Sequence, residues 1–422
     1  MIQVNSRAPV LVVHRGGYGD VAIARTLGRL GVPMYLLAQE DMWTPVWSSR
    51  YWAAKMRWDF SKPEGESLAF MLDWGRTIEA KHGARPLLLT LTDWISIFIE
   101  RHGDALQEQF VFPRAERPVI RTLANKWEMH LLAHEHAIPT PRTICPRSRV
   151  DVEEFLEIVT LPIVLKPADP YLPHAPSKMI IDSESKLMGE VDRELTSGSP
   201  NFVLQEYIPG GADSVWMCNG YFGPEPNRTV TFTGQKLRQV SSTGIASLAV
   251  CLPNEAVEMQ TRSFMQGVGY RGCVGIGYRY DERDGLYKLL DVNARVSAVF
   301  RLFSGSNDMD VVRVCYLDLT GQDFPATTPC VGRKWMLEED VLAALAEIWH
   351  RRLTVRGWLR SVWGVQESHW FAADDPMPLL AWLGRKIRRA FQMLLGRDAP
   401  RVPQQLRSDR SPARDRSTEQ IG

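Results

Sequence analysis

The stretch Leu290-Asp291-Val292-Asn293-Ala294-Arg295 decides how the rest of the chain is read. An acid, an amide and a guanidinium alternate with small or apolar residues, which is the period of a strand. Asp291, Asn293 and Arg295 are therefore expected on one face. Burying three such groups without partners is unfavourable, and each wants a different partner. The acid and the amide oxygen suit a cation, whereas the guanidinium suits an anion. A metal ion bound to phosphate satisfies all three together. The preceding predicted strand, Gly272–Tyr280, reaches this one through Asp284-Gly285, a hairpin signal.

Working back from there, polar residues recur at the ends of predicted elements. Lys126 opens an amphipathic helix within a helical stretch from Thr122 to Ala137, stopped by Ile138-Pro139-Thr140-Pro141. Lys166 ends the strand Pro162–Lys166, and a Pro-rich loop follows over 167–177. A strand from Phe202 runs into Gln205-Glu206-Tyr207-Ile208-Pro209-Gly210, with Asp213 close behind, and Lys236-Leu237-Arg238 lies on a later antiparallel segment. Taken singly, a lysine at a strand end is a solvated charge.

In this order and spacing the set resembles the ATP-grasp superfamily, with a pattern similar to carboxylate–amine ligases of the D-aspartate ligase and D-alanine–D-alanine ligase kind. The resemblance runs from about Val10 to Gly321 and includes Ser49-Arg50-Tyr51, Val164-Leu165-Lys166-Pro167 and Tyr280-Asp281-x-Arg283-Asp284-Gly285. It implies that Lys126, Lys166 and Lys178 hold ATP phosphates, under a loop over 168–178 that closes on them. It also implies that backbone groups of Glu206 and Ile208 read the adenine edge, with Gln205 beside the adenine amino group and Asp213 on the ribose. Asp291 and Asn293 would bind Mg2+, while Arg238 and Arg295 would act catalytically on developing charge. The implied function is ATP-dependent joining of a carboxylate to an amine through an acylphosphate. The alternative is an ATP-grasp nucleotide-binding protein with weak or no turnover. Two departures stand out: Asp291 is shorter than the family's usual Glu, and Gly277 falls where the preceding strand usually supplies a second acid.

The N-terminal segment reads as strand (Ala8–His14), glycine turn (Arg15-Gly16-Gly17-Tyr18-Gly19), helix up to Gly31, and strand (Val32–Ala38). That is the opening of a Rossmann-like parallel α/β domain. Gly17-x-Gly19-x-x-Ala22, with Glu40 further on, fits a dinucleotide fingerprint, yet a strand-to-helix turn needs such glycines for geometry alone. The expected plan is α/β: a Rossmann-like domain over 1–115 and an ATP-grasp domain of α+β type with antiparallel sheets over 116–325. A mostly helical C-terminal region (326–400) and a disordered tail (401–422) complete it.

Composition sets outer limits. The chain has 422 residues, 45% hydrophobic and 23% charged, which is globular. The six cysteines are scattered without Cys-x-x-Cys pairs, so reduced thiols and a cytoplasmic location are expected. Lys and Arg number 50 against 49 Asp and Glu. From Arg385 onward ten cations face four anions, so the body is slightly acidic and offers no case for nucleic acid. Leu380, Leu383, Ile387, Phe391 and Leu394 fall at helical spacing beside Arg385, Lys386, Arg388 and Arg389. Such a helix either docks on the body or meets an anionic membrane or a partner protein. The expected partners are a small carboxylate and a small amine, and a homodimer is the default assembly.

Overall fold

The computed structural model describes residues 4–16, 19–172, 175–240, 244–351 and 353–394. Val10–His14 (β1), Met34–Gln39 (β2), Trp52–Trp58 (β3) and Leu87–Thr90 (β4) form a parallel sheet of order β3-β2-β1-β4. β1 and β2 are buried along their whole length, as a parallel sheet covered on both faces demands of such apolar runs. Leu11, Val13 and Leu37 pack toward the helices Glu64–His82 and Asp93–Arg101. Val10, Val12 and Leu36 pack toward the helix Asp20–Gly28.

That second face has no boundary of its own. The same core continues into Met217, Phe232 and Ala249 and into Val312 and Tyr316 of the helix Val311–Leu319. A division near residue 115 thus separates stretches of chain, while the apolar core crosses it. Gly19 sits at this junction with φ +111, and a Cβ there would come within 2.9 Å of the Ala298 backbone. Its glycine is needed for domain contact whether or not a nucleotide lies nearby. Gly17, the other glycine of the fingerprint, lies outside the described residues.

Thr143–Ile144 (β5), Ile163–Pro167 (β6), Met179–Ile181 (β7) and Phe202–Glu206 (β8) make an antiparallel sheet of order β5-β8-β6-β7. Ile163, Leu165, Phe202 and Leu204 form a small core with the helices Arg149–Ile158 and Glu184–Leu195. Alternation leaves Lys166 and Gln205 on the opposite face. This sheet has a core to itself.

Val215–Phe222 (β9), Thr229–Gln239 (β10), Ala246–Cys251 (β11), Gly272–Asp281 (β12), Leu286–Asn293 (β13), Lys334–Met336 (β14) and Val365–Ser368 (β15) form the third sheet, of order β13-β12-β9-β10-β11-β14-β15. Its last two strands come from the C-terminal region, which is otherwise mostly helical, as expected, with the helices Asp340–Trp349, Val355–Val362 and Met377–Leu394. That region extends the sheet and is tied down by Arg25, whose buried guanidinium meets Asp375 at 3.0 Å and the carbonyls of His369 and Trp370. The expected helix from Thr122 to Ala137 is also broken, into Ile120–Ala124 and Lys126–Glu135. Asn125 is extended, and its side chain accepts from the amides of Trp127 and Glu128. The Lys126 amide then donates to the Ala168 carbonyl at 2.6 Å, which brings the start of this helix to the end of β6.

Candidate active site

β12 and β13 build one wall. Gly275 lies opposite Asn293 and Gly277 opposite Asp291. The register then slips so that Tyr278 faces Leu289, leaving Leu290 as an extra residue on β13. The slip matters, because Leu289 and Val292 both enter the core while Asp291 turns away from it. Regular alternation from Leu289 would have put Asp291 inside. No atom lies within 4 Å of a Cβ built on Gly277, so open space stands over this glycine.

Cations from one helix, two strands and a loop converge on Asp291. Lys126 bonds its carboxylate directly. Burial lowers the Lys166 ammonium to about 7, helped by the neighbouring charge of Lys126 and opposed by Asp291. Lys178 also shifts down; its side chain is exposed, and desolvation by the cleft walls together with the charges of Lys126 and Arg279 outweighs Asp291. Burial takes Lys236 to about 8, and the charges of Lys178 and Arg279 act in the same direction. Burial works against the charge of Asp291, but Lys126, Lys166 and Arg295 outweigh it and hold its carboxyl below the ordinary value. With 43% of its side-chain surface open, Asp291 lies on the floor of a cleft that water reaches. Four lysines thus share one carboxylate, an imbalance that a polyanion would relieve.

Arg295 closes the far end. Its Nη2 donates to Asn293 Oδ1 at 2.8 Å, and its guanidinium pairs with Asp93 of the parallel-sheet domain at 2.8 Å. Burial alone would weaken its charge; Asp93, Tyr171 and Asp291 more than compensate. Tyr171 is half-buried beside Asp93, and desolvation together with that carboxylate keeps it protonated far above the usual range. The Asn293 amide also donates to the Gly275 carbonyl at 3.2 Å, which leaves its oxygen a second lone pair.

The remaining residues named from the sequence divide. Gln205 lies on the face of β8 that Lys166 shares on β6, and its amide donates to Thr143 Oγ1 at 3.0 Å. The Glu206 amide is committed to the Arg142 carbonyl at 2.8 Å, so that of its two backbone groups only the carbonyl remains to meet a base. Its carboxylate turns to Arg283 at 2.8 Å, at a separate cavity of about 560 Å³ also lined by His134, Arg142 and Lys288. The Arg283 and Lys288 charges there are already matched by Asp281, Asp284 and Glu206, so the unmet charge belongs to the lysine cleft. Ile208 is buried just past the strand, and Asp213 is exposed on the turn Ala212–Ser214. The loop over 168–178 is described except for residues 173 and 174.

Arg238 requires a correction. An irregularity between Lys236 and Arg238 breaks the alternation of β10, and the two cations part company. Arg238 turns to buried Asp340, with Nε and Nη2 donating at 2.9 and 2.8 Å, and to Ser361. Arg238→Ala should therefore cost about 3 kcal/mol of stability by stranding Asp340 and change ATP affinity less than about twofold; thermal denaturation and nucleotide titration separate the two effects. Lys236, Arg279, Asp93 and Tyr171 were not picked out from the sequence as site residues. Only Lys236 carried a signal, as a cation two positions from another on a strand.

No family model matches the chain. It is 25% identical over 236 residues to a D-aspartate ligase of Enterococcus faecium, a match covering 52% of this chain and 56% of that protein. The chain so spans little more than half the length of this curated relative. Among solved structures, N5-carboxyaminoimidazole synthetase from Staphylococcus aureus aligns with a TM-score of 0.60 at 14% identity, over 83% of this chain and 88% of that one. L-amino acid ligase from Bacillus licheniformis aligns with a TM-score of 0.56 at 13% identity, over 78% and 79%. Another structure of the Staphylococcus aureus protein is a complex with ADP.

Proposed function

We propose that this chain, which has the ATP-grasp fold, is an ATP-dependent ligase that joins a carboxylate to an amine. One observation carries the reading. Lys126, Lys166, Lys178 and Lys236 gather around one carboxylate in an open cleft, and burial weakens the charge of two of them, Lys166 and Lys236. A triphosphate supplies the missing charge, and lysine is suited to such a diffuse anion. The similarity to a D-aspartate ligase supports the choice of reaction, as does the shared fold of an L-amino acid ligase.

The donor set fits Mg2+. Asp291 and Asn293 offer oxygens, and the space over Gly277 has room for water, which this ion sheds reluctantly. Among the described residues no group of three acids, histidines or cysteines is placed to hold a metal. Asp291, Asn293 and phosphate oxygens would therefore complete the site with water. When bound, the ion would offset the charge of the phosphates beside Asp291 and Asn293.

A carboxylate is a poor target for an amine because its leaving group is an oxide. In the proposed sequence a carboxylate oxygen bonds to the terminal phosphorus of ATP as the bond to ADP breaks. The amine nitrogen then bonds to the acyl carbon, inorganic phosphate departs, and the ammonium proton is lost to phosphate or solvent. The protein contributes position and charge. Lys126 and Lys166 hold phosphate, Arg295 meets the acceptor carboxylate, and Asp93 across from it meets an ammonium group. The two charges pair with each other at 2.8 Å, and a zwitterionic substrate would have to part them to meet both.

Phosphate release from ATP, measured with amino acids supplied singly and in pairs, tests the reading, with the product identified by mass. Release that requires one particular pair and yields its amide is expected. Gly277 favours a second reading, nucleotide binding without turnover. ATP binding with no phosphate release across the panel would establish that reading and exclude the ligase.

A further inference from the structure

The helix Met377–Leu394 meets the body with one face and leaves a second apolar face uncovered. Its seat is made by Leu379 and Trp382, which pack on the main core. Trp382 Nε1 donates to Glu339 at 3.0 Å, and Lys386 pairs with the same carboxylate at 3.5 Å. At about 100° per residue, Leu380, Leu383, Ile387 and Phe391 form a stripe roughly 100° around the helix from that seat. Ile387 is 60% exposed and Phe391 63%. The helix is docked, then, but by residues other than the stripe that the sequence singled out. Leu394 of that stripe has no described side chain.

Two neighbouring helices show the same habit. Asp340–Trp349 begins beside Glu339, and Trp358 of Val355–Val362 donates to Asp340 at 3.3 Å, so all three helices meet at this corner. Their outward residues include Leu345, Leu359 and two tryptophans, Trp349 at 84% and Trp363 at 83% exposure. Tryptophans this exposed are unfavourable in water and suited to the headgroup level of a bilayer. The polar residues complete the pattern. Neither 349–363 nor 377–394 contains an acid, while Arg356, Arg360, Arg388 and Arg389 lie within them, and Arg385 is turned to the carbonyl and ring of Trp43.

We propose that this C-terminal face binds an anionic lipid surface, lying in the interface without crossing it. Among the described residues no helix is long and apolar enough to span a membrane. Charge decides the occupant. In a twofold dimer this face would meet its own copy, and its arginines would mostly find arginines, since the acids of its first helix are the buried Asp340 and the half-buried Glu347. Anionic headgroups match the arginines, and the stripe and tryptophans bury apolar surface among acyl chains.

Sedimentation of the full chain with phosphatidylcholine vesicles, with and without phosphatidylglycerol, tests this. Affinity for the anionic vesicles should exceed that for neutral ones by about tenfold or more and fall as salt is raised. Ile387→Glu with Phe391→Glu should abolish sedimentation with Tm and ATP affinity unchanged, since both residues are exposed. Arg388→Glu with Arg389→Glu should do the same without touching the apolar stripe. Three results would overturn the proposal: no sedimentation of the parent with anionic vesicles at low salt, vesicle binding by both double variants equal to the parent's, or a parent dimer that the stripe variant converts to monomer.

Discussion

Lys166→Met is expected to weaken ATP binding by about ten- to a hundredfold, the loss of a charge-assisted contact worth about 1.5–3 kcal/mol. The same substitution should leave the free protein as stable as the parent or more so. Lys166 is a buried ammonium whose pKa has fallen to about 7 because burial and Lys126 both oppose its charge. Methionine fills a similar volume with no charge to desolvate. Thermal denaturation beside nucleotide titration separates a lost contact from a lost fold. A variant that binds ATP as tightly as the parent would remove Lys166 from the site.

The shift carries a pH signature whose sign can be worked out. An unfolded lysine titrates near 10.5, above the folded value of about 7, so between these limits the unfolded chain holds more protons. This lysine's contribution to stability therefore rises with pH across that window. Bound phosphate reverses the balance by favouring the charged ammonium. At pH 8 ATP should bind with uptake of nearly one proton by Lys166 and part of one by Lys236, whose pKa lies at about 8. Calorimetry in buffers of different ionisation enthalpy measures the uptake. In the Lys166→Met variant the Lys166 share should vanish.

What the sequence conveyed depended on whether meaning lay in local pattern or in contacts across the chain. The parallel sheet was legible because β1 and β2 are short apolar runs around a glycine turn. The edge strand Trp52–Trp58 was not, because its buried Trp52 is followed by mostly exposed positions such as Lys55 and Arg57, so no apolar run marks it. Lys126, Lys166 and Asp291 could be named from their places at element ends, and the structure brings all three together. Arg238 shows the limit. Its partner Asp340 lies 102 residues away on a segment that shares no local pattern with it, and a break in β10 redirects the side chain. The extra residue at Leu290 was equally silent, although it alone lets Leu289 face the core and Asp291 the cleft. Asp93 and Tyr171 enter the site only because the parallel-sheet domain packs against the others.

Gly277→Glu is expected to lower the Mg2+ concentration for half-maximal ATP turnover by about tenfold, equivalent to about 1.4 kcal/mol of added metal binding. Gly277 pairs with Asp291 across the two strands, so a side chain there rises beside the Asp291 carboxylate. Nothing lies within 4 Å of a Cβ at this position, and the backbone carries no positive φ, so the strand should accept the change. A second carboxylate would replace water in the ion's shell, and Mg2+ favours oxygen ligands of this charge. It would also meet Lys126, Lys166 and Lys178, whose excess charge keeps it ionised. If turnover is absent in the parent, the same titration reads ATP binding, and the same direction is expected. Saturation of the parent at micromolar Mg2+, with no gain in the variant, would mean that Asp291 and Asn293 suffice and that the open space serves the substrate.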